Sequence, residues 1–391
     1  MGSLPAPPGL DSSAPDYERR LSLEVTAIVH RQAEVGIDIV SDGELSKGHW
    51  LAYLDERLGG FEPKPLAVDQ GSLLLTGEDY RGFPGFYAEA AQRGTLFYSS
   101  GYQHASPSSA PARAVCTRPI EYTGQHLIGR DIANLQSALA STPVIEAFLP
   151  VAAPASIEPY RFNEHYSSED AFLYALADAL RVEYEAIAES GLLLQIDDAW
   201  TAALWERIGT AMGLEAYRGR CMKRVEALNH ALARIPRERI RYHICWGSWH
   251  GPHAHDICLE DLLEVVLAVK AGAYSFEAAN VRHEHEYRIW ERTALPADAV
   301  LIPGVVSHAT NLIEHPQLVA ERIERFCAAV GRENVIAGTD CGFGGRLHPE
   351  LAWAKLQSLV EGAQLASRRL WPRRRERAEP ARRRGSRSES S

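Results

Sequence analysis

Leu192-Leu193-Leu194-Gln195-Ile196-Asp197-Asp198 is the segment of this 391-residue chain that most directly indicates the fold. A short apolar run without alternation is typical of a parallel strand buried on both faces, and this one ends directly in two carboxylates. The same order, an apolar run and then Gly, Pro or polar residues, recurs along the chain. It predicts six further strands, at residues 37–40, 144–149, 242–246, 273–277, 300–303 and 335–339.

Amphipathic helices are predicted between these strands. Their apolar residues recur at i, i+3 and i+4, in the segments 23–35, 171–190, 221–233, 259–270, 316–330 and 351–370. Strands that alternate with helices form a parallel sheet covered on both faces. Seven such units and one more would close a (βα)8 TIM barrel, which is the α/β fold we expect. A doubly wound open sheet is the alternative architecture.

The domain organisation follows from two regions that do not fit this repeat. Residues 60–114 are rich in Gly, Pro, Ser and Tyr, and we expect a long insertion that caps the barrel mouth and ends in a short extra strand at 114–122. Residues 372–391 contain eight Arg and three Glu after position 372, and their low complexity predicts a disordered basic tail. Residues 1–371 would then form a single barrel domain.

Composition limits the classes of function. The chain is 46% hydrophobic and 24% charged with a net charge of −10, which argues against nucleic acid or an anionic membrane as the main partner. No apolar run is long enough to span a bilayer, and the N-terminal segment MGSLPAPPGLDSS lacks the features of a secretory signal. The six cysteines are sparse and lack the spacing of a disulfide scaffold. These features predict a cytoplasmic enzyme.

Candidate functional side chains stand at the ends of the predicted strands. In a parallel barrel the carboxyl ends of all strands meet at one mouth, where active sites lie. Residues far apart in sequence are therefore expected to converge there. They are Asp42, Glu44, Asp197, Asp198, His243, Cys245, Glu277, Asp340 and Cys341.

Four of these residues predict a zinc site. His243 and Cys245 are two residues apart, so both can face one metal ion from the end of a strand. Cys341 ends the last predicted strand and Glu277 ends the strand after His243. One imidazole, two thiolates and one carboxylate match tetrahedral Zn²⁺. Taken singly, each cysteine is more often a buried small residue than a ligand.

The charge of this ligand set bears on the reaction. Two thiolates and a carboxylate make the zinc centre electron-rich, so it polarises bound water poorly. Such a centre is suited to ionising a substrate thiol while keeping it nucleophilic, which points to alkyl transfer onto sulfur. A zinc hydrolase or lyase and a non-catalytic zinc-binding barrel are the alternatives.

The motifs H-I-C-W-G-S-W-H-G-P-H, S-F-E-A-A-N, G-T-D-C-G-F and L-Q-I-D-D together resemble the catalytic barrel of the cobalamin-independent methionine synthase family. The resemblance covers most of residues 1–371. It implies methionine biosynthesis by transfer of a methyl group to the zinc-activated thiol of homocysteine. It also implies His243, Cys245, Glu277 and Cys341 as the zinc ligands.

The same resemblance assigns the substrate residues. It implies that Glu44 and Asp197 hold the amino group of the acceptor and that Ser3, in Gly2-Ser3, holds its carboxylate. His308 would be the general acid to the leaving group, although the family motif G-V-Y-D-I-H is shortened here to Gly304-Val305-Val306-Ser307-His308. The family also has a strand before G-S, where this chain has Met1.

The electrophile is left open by these motifs. The methyl donor is expected to be a methyl-folate or a methyl-corrinoid. The C-W-G-S-W-H-G-P-H block also resembles the epoxyalkane–coenzyme M transferases, so a thiol transferase that opens an epoxide or attacks another alkyl electrophile is the alternative function. Residues 283–286, His-Glu-His-Glu, allow a second metal site, but a solvated helix start is the preferred interpretation.

Overall fold

The computed structural model describes residues 2–7, 9–48, 52–65, 76–95 and 112–371. The predicted tail at 372–391 lies outside the described residues, as do 66–75 and 96–111 of the predicted insertion. Within the described residues, no helix combines the length and apolar character needed to cross a membrane.

A parallel seven-stranded sheet forms the centre of the protein. Each of the seven predicted strands overlaps one of its members. In spatial order these are β1 (Ile39–Ser41), β4 (Glu146–Ala152), β6 (Leu193–Asp198), β7 (Ile240–Ile244), β8 (Ala273–Phe276), β9 (Val300–Val306) and β10 (Gly338–Thr339). The spatial order follows the chain order, whereas a doubly wound sheet reverses it at a switch point. The alternative architecture is therefore wrong, and the sheet is of the curled, barrel-forming kind.

Helices cover the outside of this sheet. The longer ones are α1 (Tyr17–Val35), α4 (Gln125–Leu139), α6 (Glu169–Glu189), α9 (Leu214–Ala231), α10 (Leu259–Ala268), α11 (Pro316–Val330) and α12 (Pro349–Leu370). Short helices are α2 (Glu78–Gly82), α3 (Pro84–Arg93), α5 (Pro154–Ile157), α7 (Trp200–Ala203) and α8 (Thr210–Met212). All six predicted helices are present, while α4 was not predicted.

Local sequence explains where the last two helices begin. His315-Pro316 and His348-Pro349 each place an imidazole at the N-cap and a proline at the first helical position. The His315 ring accepts from the Gln317 amide at 3.1 Å, and His348 serves α12 in the same way. Proline at this position costs no hydrogen bond, because the first amides of a helix have no partner in the helix.

The predicted insertion contains a second sheet. β2 (Leu58–Pro65) pairs antiparallel with β3 (Ala112–Tyr122), and β3 pairs parallel with β5 (Arg161–Asn163). β2 begins two residues before the predicted start of the insertion. The predicted short strand at 114–122 is an 11-residue strand of this separate sheet. Helices α2 and α3 lie between its two long strands in sequence.

The N-terminal segment joins the two edges of the main sheet at the carboxyl ends of its strands. The amide of Leu4 donates to the Gly43 carbonyl at 3.1 Å, just after β1. The carbonyl of Ser3 accepts from the amides of Phe343 and Gly344, just after β10, at 3.0 and 3.2 Å. Residues 2–4 therefore lie between the first and last strands, beside the mouth of the curled sheet.

Candidate metal centre

Three of the four predicted zinc ligands lie together at the mouth. The ligand atoms of His243, Cys245 and Cys341 are all within 4.8 Å of one another. His243 is near the end of β7, Cys245 directly follows that strand, and Cys341 follows β10. His243 and Cys245 are buried, each 3% exposed. The curl of the sheet thus brings together residues almost one hundred positions apart.

The bonding of His243 fits a metal ion. Its Nδ1 lies 3.0 Å from the Ser275 hydroxyl, on the neighbouring strand β8. Its Nε2 is buried and has no hydrogen-bond partner among the described residues. A ligating histidine is commonly held through its second nitrogen in this way, which fixes the ring and leaves the first free for the metal. The chemistry of this nitrogen and two sulfurs suits Zn²⁺.

A hydrogen bond between the two thiols shifts their pKa values in opposite directions. The Cys245 thiol donates to the Cys341 sulfur, which raises the pKa of Cys245 well above its usual range and lowers that of Cys341 well below. Burial adds to the rise at Cys245, and His243 adds to the fall at Cys341. A thiolate is thus already favoured at the cluster, as ligation by sulfur requires.

Glu277, the fourth predicted ligand, lies beside this cluster rather than in it. Its Oε1 accepts from the Trp246 amide at 2.9 Å and its Oε2 from the Asn280 side chain at 2.7 Å. Its charge helps raise the pKa of Cys245, so the carboxylate is close to the sulfurs. Burial raises the pKa of Glu277 itself. Its ligand atom groups with those of His308 and Asp340, within 4.8 Å of one another.

His308 and Asp340 form the rest of this acidic cluster. Asp340 Oδ1 accepts from the amides of Ala278 and Ala279, both at 2.8 Å. Asp340 Oδ2 and His308 Nδ1 are buried and have no partner among the described residues. Burial lowers the pKa of His308 to about 3, so the imidazole is neutral near pH 7. A role as general acid would then require proton uptake during the reaction.

Glu44 has an unusual backbone conformation at the other side of the mouth. Its φ is 55°, directly after Gly43 at 68°, so two consecutive residues adopt the left-handed region. Such strain in a non-glycine residue is concentrated at functional sites. Lys47 Nζ lies 3.1 Å from Glu44 Oε1, and the side chains are 6% and 11% exposed. Lys47 was not predicted, although it stands three residues after Glu44.

Asp197 and Asp198 point to opposite sides of β6. Asp197 pairs in register with His243 and accepts from the Gln195 side chain at 2.8 Å. Burial and the charge of Glu44 raise the pKa of Asp197 to about 6, while His243 opposes the rise. Asp197, Glu44 and the metal ligands are therefore neighbours.

Gly2 and Ser3 lie on the same side as Glu44. A Cβ on Gly2 would stand 2.3 Å from Pro150 Cγ and 3.1 Å from Glu44 Oε2, so only glycine fits there. Ser3 is half-buried beside Gly344. The structure thus places Gly2 against Glu44 and Ser3 against Gly344.

Residues 283–286 were predicted as a solvated helix start, and the structure differs from this prediction in their burial. A helix does start here, at Glu284, but His283 and Glu286 are buried, 3% and 6% exposed, so the predicted solvation of these two residues is wrong. His283 lies 3.1 Å from Asp256 and 3.0 Å from Glu286, and its ring stacks on Trp246 at 3.8 Å. This ion-pair network fixes the loop that follows β7. The sequence carried one signal for it, the i, i+3 spacing of His283 and Glu286.

Comparison with known proteins supports the motif-based resemblance. A protein called methionine synthase from Thermococcus kodakarensis is 21% identical over 91% of this chain and 85% of its own length. One from Saccharolobus solfataricus is 22% identical over 95% and 94%. No protein-family model matches the chain.

Two solved structures share the fold. The B12-independent methionine synthase of Shewanella sp. W3-18-1, in complex with selenomethionine, has a TM-score of 0.69 at 17% identity, covering 94% of this chain and 97% of that one. A putative B12-independent methionine synthase from Listeria monocytogenes has a TM-score of 0.62 at 20% identity, covering 93% and 95%. The predicted resemblance to the cobalamin-independent methionine synthase family is confirmed.

Proposed function

We propose that this protein is a zinc-dependent methyltransferase that methylates the thiol of homocysteine or a similar amino-acid thiol. One observation carries the proposal: two cysteine sulfurs and an unpartnered histidine nitrogen meet at the mouth, next to two carboxylates. The relatives named methionine synthase and their fold support the same class of reaction.

His243 Nε2, Cys245 and Cys341 would hold the zinc ion, with Glu277 as the fourth ligand. Zinc in such a sulfur-rich set lowers the pKa of an acceptor thiol and leaves the sulfur nucleophilic. Both oxygens of Glu277 are already hydrogen-bonded, so Glu277 would be the weakest of the four residues that hold the ion. His243 is held in the required orientation by Ser275.

Glu44 and Asp197 would bind the amino group of the acceptor, and Ser3 its carboxylate. The negative charges of Glu44 and Asp197 would offset the ammonium group. The strained turn at Glu44 holds its carboxylate in place before the substrate arrives. The Shewanella protein binds selenomethionine, an analogue of the product of this reaction. An amino-acid acceptor is therefore favoured over other thiols.

His308 would face the leaving group of the methyl donor. Its neutral ring, buried beside Glu277 and Asp340, can donate a hydrogen bond as the donor departs. The donor would be a methyl-folate or a methyl-corrinoid. Residues 2–4 would close the curled sheet at the mouth, because they lie where the eighth strand of a TIM barrel would be.

Replacing Cys341 with alanine tests the proposal. We expect bound zinc and methyl transfer from methylcobalamin or 5-methyl-folate to L-homocysteine each to fall at least about 100-fold, since loss of a direct ligand costs more than loss of its supporting residues. Cys258→Ala is the matched control, because Cys258 is exposed and away from the cluster. Survival of both zinc and methyl transfer in Cys341→Ala would show that the mechanism is wrong. Addition of the thiol of 2-mercaptoethanesulfonate to an epoxide with opening of the ring, without methyl transfer to homocysteine, would favour the coenzyme M-like alternative.

A further inference from the structure

The turn after β7 brings a hydrogen-bond donor to each sulfur of the cluster. The amide of Gly247 lies near the Cys245 sulfur and opposes the rise in the pKa of that thiol. The hydroxyl of Ser248 lies 3.3 Å from the Cys341 sulfur. A thiolate has no proton to give, so in the ionised cluster the hydroxyl must be the donor. A single Gly-Ser pair therefore lies beside two sulfurs that are almost one hundred positions apart in the sequence.

The position of Ser248 is fixed from both sides. The Arg346 guanidinium donates to the Ser248 carbonyl. Gly247 has a φ of 95°, and a Cβ there would stand 2.0 Å from Trp249 Cζ3. The turn thus requires glycine at 247, and Arg346 binds the next residue to the segment that carries Cys341. The backbone on both sides of Ser248 is therefore fixed, and this places its hydroxyl beside the Cys341 sulfur.

We propose that Ser248 is a positioning residue of the metal centre, which donates to Cys341 and withdraws negative charge from its sulfur. The inference rests on the proposed zinc-dependent function and adds a determinant that the ligand motifs do not contain. A hydrogen bond to a thiolate ligand weakens its electron donation, so the metal attracts the acceptor sulfur more strongly. Ser248 also keeps Cys341 oriented toward the histidine and the second cysteine.

Ser248 and Ser275 each contact a different one of the predicted metal ligands. Ser275 contacts the His243 ring at 3.0 Å, whereas Ser248 contacts Cys341 at 3.3 Å. Ser156, also at the mouth, instead donates to Asp198 at 3.2 Å. Ser156 therefore provides a control in which a buried hydroxyl is lost at the same end of the sheet without any contact to a metal ligand.

The test is the absorption spectrum and affinity of the protein loaded with Co²⁺, whose sulfur-to-cobalt charge-transfer band reports the electron richness of the thiolates. In Ser248→Ala we expect this band to move to longer wavelength and the Co²⁺ affinity to fall about tenfold. Ser156→Ala should keep the band and the affinity of the parent protein. Because Ser248→Ala could disturb the turn, Ser248→Thr and Ser248→Val form a second pair of equal size.

Thr retains the hydroxyl and should keep the parent band, while Val should behave as Ala does. An unshifted band and unchanged affinity in both Ser248→Ala and Ser248→Val would overturn the inference and leave the proposed function standing. The absence of any sulfur-to-cobalt band in the parent protein would instead overturn the proposed function. Neither readout depends on knowing the methyl donor.

Discussion

Asp197 and Asp198 are neighbours on β6, but their surroundings differ. Asp198, on the outer side, accepts from the Ser156 hydroxyl, from the amide and hydroxyl of Thr201, and from the Tyr242 hydroxyl, at 2.8–3.2 Å. The carboxylate of Asp197, on the inner side, accepts one hydrogen bond, from Gln195, within the part of the chain that the structure describes. Of the two adjacent carboxylates, one is thus held by four hydrogen bonds and the other by one, which supports a structural role for Asp198 and the proposed functional role for Asp197.

Elsewhere at the mouth, among the described residues, side chains on the outer side are likewise fully hydrogen-bonded, whereas several on the inner side are not. Outside, the His283 network is fully paired on both ring nitrogens. Inside, His243, His308 and Asp340 each keep one buried atom without a described partner. An unpaired buried polar atom costs about 1–3 kcal/mol, so such atoms are retained where a ligand completes them. This contrast supports the proposal that the inner face is the reactive surface and that the outer face holds it in shape.

Removal of Asp198 should have the largest effect. Asp198→Ala leaves three buried donor side chains without their acceptor, so we expect the free energy of unfolding to fall by about 3–5 kcal/mol. Urea unfolding measures this loss. Homocysteine affinity of the fraction that remains folded should stay near that of the parent protein. A stable Asp198→Ala protein with impaired acceptor binding would reverse the assignment of the two carboxylates.

His283 should make stability depend on pH. Burial alone would lower its pKa, but hydrogen bonds to Asp256 and Glu286 and the charge of Glu277 outweigh burial and raise the pKa to about 9. Since the folded pKa exceeds the ordinary 6.5, this stabilisation is complete below pH 6.5 and is lost as pH rises through about 9. The loss should reach about 3 kcal/mol.

Unfolding of the parent protein and of His283→Gln at several pH values isolates the contribution of His283 to stability, because the cysteines titrate alike in both. The difference in stability between the two proteins should shrink between pH 6.5 and 9. A difference that stays constant across that range would show that the imidazole is not charged within its network.

Asp197 should affect function rather than folding. Asp197→Asn removes a charge that would bind the acceptor ammonium, so we expect the Kd for homocysteine to rise about 10- to 100-fold. Burial raises the pKa of Asp197 to about 6, so the group is mostly ionised at pH 7 but its charge costs the folded protein stability there. Stability at pH 7 should therefore not fall in the variant. Calorimetric titration and urea unfolding check the two statements, and a large loss of stability with unchanged affinity would contradict them.

The sequence predicted the seven sheet strands because each is a short apolar run that ends in Gly, Pro or polar residues. It predicted where the chemistry lies because parallel strands share one carboxyl edge. It did not predict α4, although Ile128, Ile132, Leu135 and Leu139 follow the helical period, since the helix lies directly after the insertion. Pairing of β2 with β3 joins segments about fifty residues apart and has no local signal.

Within the site, the grouping of Glu277 with His308 and Asp340 was not predicted. Strand-end placement indicates that a side chain reaches the mouth, but not which neighbours satisfy its oxygens. Ser248 and Lys47 were missed for the same reason, because each acts through a contact that depends on the turn geometry. Ser275 had a weak signal, as it stands two residues before Glu277 on the inward face of β8.

X-ray absorption at the zinc edge, measured with and without L-homocysteine, tests the central claim most directly. For the protein loaded with zinc we predict two sulfur neighbours at about 2.3 Å together with nitrogen and oxygen neighbours, and one more sulfur after the acceptor is added. Zinc surrounded by nitrogen and oxygen alone, or a protein that binds no stoichiometric zinc, would contradict the assignment of His243, Cys245 and Cys341 to a metal centre.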